Sequence, residues 1–124
     1  MTRLFITIGA LAACIGVAAG AFGAHALTKH VTPERLQTFE TGVRYQMYHA
    51  LALLFVGWLA AQWPIWQMQA AGYLFTAGIV IFSGSLYLLV LTDTRWLGAI
   101  TPLGGVAFIL GWLLLAWGAW THVR

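Results

Sequence analysis

The stretch Leu4 to Leu27, LFITIGALAACIGVAAGAFGAHAL, holds no Asp, Glu, Lys or Arg and is long enough to cross a bilayer as a helix. A spanning helix needs roughly 20 predominantly apolar residues, and three more windows qualify: Gly42 to Ala61, Ala70 to Thr92, and about Thr101 to Trp120. Of the 124 residues, 61% are hydrophobic and 7% charged, against about 25% charged in a soluble domain. Little chain is left for anything outside a membrane. Segments alternating apolar and polar residues, which a membrane β-barrel requires, are absent. Only an α-helical bundle then satisfies the backbone in lipid. The fold class is therefore an all-α membrane protein, one domain over 1–124. Its four transmembrane helices form a compact bundle, with a short interfacial helix at about 33–41 between spans one and two.

The first run imitates a secretory signal, with Arg3 ahead of it and Ala24-His25-Ala26 resembling a cleavage site. It is too long for a typical signal core, so it is expected to persist as the first span. Gly9, Ala13, Gly16, Gly20 and Gly23 share one face at helical spacing, and such small-residue faces let helix backbones approach closely. His25 falls opposite them near the helix end. Cys14, the single cysteine, cannot pair within one chain and reads as a packing residue.

Thr32 as cap, Pro33 in the first turn and Glu34 beside the positive dipole end start a helix. Its apolar face of Leu36, Phe39 and Val43 suits the membrane interface, and Gly42 is expected to bend the chain into the second span. Trp63 and Trp66 fit an interfacial aromatic belt. Ser83-Gly84-Ser85 lies within the third span, where serines bond their own backbone or a neighbouring helix and a kink is expected. Gly84 is read as a packing residue there. Thr101-Pro102 repeats the cap-then-proline signal, and Gly104, Gly111 and Gly118 recur every seven residues along one packing face. Gly57-Trp58-Leu59 returns as Gly111-Trp112-Leu113, which is too little to establish a duplication.

Ten of the thirteen Asp, Glu, Lys, Arg and His residues fall on one side of the four spans; only Arg3, His122 and Arg124 fall on the other. Lys and Arg number four against two, so the positive-inside rule places the charged loops in the cytoplasm and both termini outside. The net charge of +3 is scattered, with no basic block for nucleic acid.

No carboxylate lies within the middle of a span, which counts against proton-coupled export. Nucleotide fingerprints, paired metal-binding cysteines and a catalytic triad are also missing, so no enzyme is expected. His49 shares an inward face with Tyr45, Ala52, Val56 and Ala60. It is either a ligand or proton carrier or, more simply, a structural group bonded to a neighbouring helix. Joint haem or metal ligation by His25 and His49 is a minor reading, because their depths differ; no cofactor is expected. Glu40 and Arg44 are spaced for an exposed ion pair. Alternatively Arg44, with Tyr45, Lys29 and Arg35, holds an anionic lipid headgroup. The candidate polar or headgroup site is therefore His25, Arg44, Tyr45 and His49, and the packing residues are Gly16, Gly20, Gly23, Gly84, Gly104, Gly111 and Gly118.

The runs Gly20-Ala21-Phe22-Gly23-Ala24-His25-Ala26-Leu27, Thr41 to Leu51 (TGVRYQMYHAL), Phe82-Ser83-Gly84-Ser85-Leu86-Tyr87 and Arg95 to Gly105 (RWLGAITPLGG) resemble a small bacterial membrane family. It is the domain-of-unknown-function family numbered 423, of the YgdD and YwdK type, distantly similar to animal transmembrane protein 256. The resemblance spans nearly the whole chain. It implies a compact four-helix inner-membrane protein with polar signature positions at His25, Arg44, Tyr45, His49, Ser83, Ser85, Thr101 and Pro102, and it carries no established activity. The expected role is a non-enzymatic packing partner, in a homo-oligomer or as accessory subunit of a larger membrane complex. The alternative is a small transporter, channel or lipid-binding protein with a polar entrance at His25, Arg44, Tyr45 and His49.

Overall fold

The structure is a computed structural model that describes residues 1–124, and it consists of helices and short connections with no strand. Four long helices follow one another: α1 (Thr2–His25), α2 (Pro33–Gln62), α3 (Trp66–Thr92) and α4 (Thr101–His122). α1, α3 and α4 lie within the three segments long and apolar enough to cross a membrane. α2 is longer than any of them but less apolar, because its first half carries the polar residues from Glu34 to His49.

The interfacial helix and the second span are one helix. Thr32 caps it, its side chain accepting from the Arg35 N–H at 3.2 Å, and Pro33 opens it. It then runs through Gly42 without a break. Gly42 is small for another reason: a Cβ there would stand 2.9 Å from the Tyr87 ring, so it admits a neighbour where a hinge was expected. At the far end Pro64 cannot continue the helix.

α3 contains one π-helical segment, Ile79–Ser83, just ahead of the Ser83-Gly84-Ser85 run where a kink was expected. It stops at Asp93, the one non-glycine residue with positive φ (54°). α4 begins at Thr101 as read from sequence, but Thr101 does not cap it. Its hydroxyl instead pairs with Ser85 at 2.6 Å and donates to the Leu97 carbonyl at 3.3 Å.

The four helices form two antiparallel hairpins. In the first, α1 presents Gly9, Gly16, Gly20 and Gly23 to Leu53, Met47, Val43 and Phe39 of α2 in turn. The second sets Gly104, Gly111 and Gly118 of α4 against Phe82, Phe75 and Gln67 of α3, with Gly78 receiving Phe108 in return. Gly84 is the exception among the expected packing glycines, since a Cβ there would meet nothing within 4 Å. The hairpins close on a core of Phe5, Ala52, Leu53, Val56, Phe75 and Phe108. Outward, Leu11, Leu51, Phe55, Val80, Leu88, Ile109 and Leu113 are exposed, the apolar surface that lipid requires and water does not.

Candidate functional site

His49 points inward from α2 and is 5% exposed, as its helical face foretold. Its Nδ1 lies 2.7 Å from the Tyr45 carbonyl one turn earlier, and the Trp112 indole N–H donates to its Nε2 at 3.0 Å. A carbonyl only accepts, so Nδ1 carries the proton; an indole only donates, so Nε2 offers its lone pair. The ring is thus held in one neutral tautomer with both nitrogens engaged. Phe108 stacks on it with centroids 3.6 Å apart, and Phe75 closes another side at 5.3 Å.

The other expected site residues do not join it. His25 is exposed at the end of α1. The Gly9–Leu53 and Gly16–Met47 contacts put His49 level with about residue 13 of α1, so the two histidines stand roughly 17 Å apart along the bundle at helical rise. The structure does not bring this pair together. Arg44 faces outward and forms no ion pair with Glu40, the sole ion pair being Arg35–Asp93 at 3.9 Å. Tyr45 is exposed, its ring stacked on Phe82 at 5.0 Å. No cavity is lined by any of His25, Arg44, Tyr45 or His49. Three or more His, Cys, Asp or Glu side chains are nowhere gathered as metal ligands would be.

Other polar groups join helices to one another. Gln46, buried in α2, donates to the Ala12 carbonyl of α1 at 2.7 Å and accepts from the Tyr87 hydroxyl of α3 at 2.5 Å. Ser83 donates to the Gly42 carbonyl at 2.6 Å. Arg35 reaches across the charged end to the Val90 carbonyl and to Asp93. Gln46 was detectable, being the one amide between Arg44 and Gln62 in the second apolar run; Trp112 was hidden among seven tryptophans. An apolar cleft of about 240 Å³ separates α1 from α3 over Gln46, lined by Ile8, Leu11, Ile15 and Val80 among others.

Residues 19–105 match the family model described as "Protein of unknown function (DUF423)". A UPF0382 membrane protein of Bacillus subtilis (strain 168), YwdK, is 51% identical over 114 residues, covering 91% of this chain and 93% of its own. A UPF0382 membrane protein of Staphylococcus saprophyticus is 48% identical over 116 residues, covering 94% and 96%. One from Staphylococcus aureus (strain bovine RF122 / ET3-1) is 50% identical over 113 residues, covering 91% and 92%. No solved structure matches the chain. A family model matched across most of the sequence, and relatives about half identical along nearly their full length, place the chain in the DUF423 family of membrane proteins, whose function is unknown.

Proposed function

We propose that this chain is a four-span, non-enzymatic packing protein of the bacterial plasma (inner) membrane that acts by binding another transmembrane helix. The partner is a second copy of itself or a subunit of a larger membrane complex. α2 is the fourth span in this reading, because it is packed between α1 and α3 from Phe39 to Ala60 and so shares their depth. The positive-inside rule puts the Lys29-to-Arg44 end in the cytoplasm and both termini outside.

One observation carries the reading. α1 uses its glycine face to hold α2, yet its opposite side exposes a second run of small residues, Ala10, Cys14 and Ala18, four apart. A face that ends in lipid has no need of small residues, whereas a face that meets another helix does. The buried polar groups support the same role, since His49, Gln46 and Ser83 are consumed in joining helices.

The native Cys14 supplies the test. Oxidative crosslinking in membranes should trap a disulfide dimer, or a mixed species with a Cys-bearing partner subunit, and Ala18→Leu should abolish it. Absence of any crosslink, with native mass spectrometry from lipid discs giving only monomer and nothing co-purifying, refutes the proposal. A C-terminal tag that is accessible only after permeabilisation overturns the orientation.

A further inference from the structure

Arg44 is exposed on α2 and forms no hydrogen bond or ion pair with any protein group. The Gly20–Val43 and Gly16–Met47 contacts bracket it, which sets it about 10 Å inside the His25 end of α1 at helical rise. A cation at that depth, facing outward from a spanning helix, requires an anion or a path to the interface.

The surroundings favour an anion. Tyr45 and Tyr48 lie to one side of Arg44 on the same outer surface, 38% and 54% exposed, with ring centroids 5.8 Å apart. Neither phenol hydroxyl bonds to the protein, in contrast to Tyr73 and Tyr87. Tyr45 is held in place by its stack on Phe82. α2 begins at the charged-loop end, and helical side chains lean toward the helix N-terminus. All three side chains therefore lean toward the headgroups of that leaflet.

We infer that Arg44, Tyr45 and Tyr48 form a binding site for the phosphate of an anionic glycerophospholipid. The guanidinium fork matches the two unesterified phosphate oxygens, and the two phenol hydroxyls donate to the remaining lone pairs of the same oxygens. This rests on α2 spanning the membrane and not on self-association, so the Cys14 crosslink and the lipid measurement fail separately.

The test is lipid retention by the full-length protein, measured by native mass spectrometry after reconstitution in vesicles of equal phosphatidylglycerol and phosphatidylcholine. Wild type should retain phosphatidylglycerol preferentially. Arg44→Ala should lower that retention roughly tenfold, the factor expected when one charge-assisted contact is lost. Tyr48→Phe, which removes only a hydroxyl, should lower it by a smaller factor, and Arg95→Ala, a loop cation elsewhere, should leave it unchanged. If Arg44→Ala unfolds, Arg44→Lys keeps the charge without the fork and should still lose part of the preference. Equal retention in wild type, Arg44→Lys and Tyr48→Phe overturns the site, as does an equal loss in Arg95→Ala. Displacement of the lipid by inorganic phosphate overturns the lipid as its source.

Discussion

Gly104 and Gly105 are neighbours on α4 with opposite surroundings, and replacing each by alanine separates packing from helix propensity. At Gly104 a Cβ would stand 2.7 Å from the Cβ and 2.8 Å from the Cα of Phe82, with the Phe82 backbone nitrogen nearer still. Restoring ordinary contact at 3.4 Å from the first of these moves α4 outward by about 0.7 Å, a gap that forfeits a quarter to a half of each nearby dispersion contact. Backbone atoms cannot rotate away, so the cost lies at the upper end of overpacking, about 3 kcal/mol. Alanine returns about 1 kcal/mol of helix propensity, which leaves Gly104→Ala destabilised by about 2 kcal/mol. At Gly105 the nearest atoms to a new Cβ are 3.9 and 4.0 Å away on the Phe82 ring, so Gly105→Ala keeps the propensity gain without the clash. SDS titration of the purified protein in mixed micelles, followed by circular dichroism, should show midpoints moving in opposite directions. Equal midpoints for the two variants would refute the packing register between α3 and α4.

Gly84→Ala should behave like Gly105→Ala and raise the same midpoint, because nothing lies within 4 Å of the new methyl; a loss would mean that Gly84 meets a partner after all. Trp112→Phe leaves the His49 Nε2 without its donor and should cost about 1 kcal/mol, as interhelical hydrogen bonds in membranes do. Gln46→Leu severs α2 from both Ala12 and Tyr87 and should cost about as much per bond; unchanged unfolding in either variant would show those bonds to be idle. Asp93→Gly should stabilise by about 0.5 kcal/mol. It relieves a left-handed conformation that costs roughly 1–2 kcal/mol in other residues, and the lost ion pair to Arg35 is long, at 3.9 Å, with its carboxylate exposed, so it contributes little. Asp93→Ala should lower stability.

Three of the four apolar windows and the Thr32-Pro33 start were legible because each rests on local chemistry: a helix surface apolar enough for lipid, or a hydroxyl meeting a free N–H. Gly42 was misread because a glycine gives one signal for two causes, a bend or a close neighbour, and only the position of Tyr87 decides between them. Thr101 offered a cap signal, but Ser85 across the turn claimed its hydroxyl. The inward face of His49 was visible in the spacing of Ala52, Val56 and Ala60. Its partner Trp112 lies 63 positions away, and no periodicity within one helix reports such a pairing. His25, Arg44 and His49 were grouped by their nearness to one loop, whereas the antiparallel register of α1 and α2 sets them at different depths and on different sides.

The two kinds of joint in this bundle imply an order of birth. Glycine contacts close each hairpin, while hydrogen bonds from Gln46 and His49 of α2 cross to Tyr87 and Trp112 in the second hairpin. Before α3 and α4 are made, Gln46 has only the Ala12 carbonyl and His49 only that of Tyr45, and α2 is the least apolar of the four helices. If α2 is the fourth span, α3 and α4 supply the remaining polar partners, Tyr87 and Trp112, that its buried side chains need away from water.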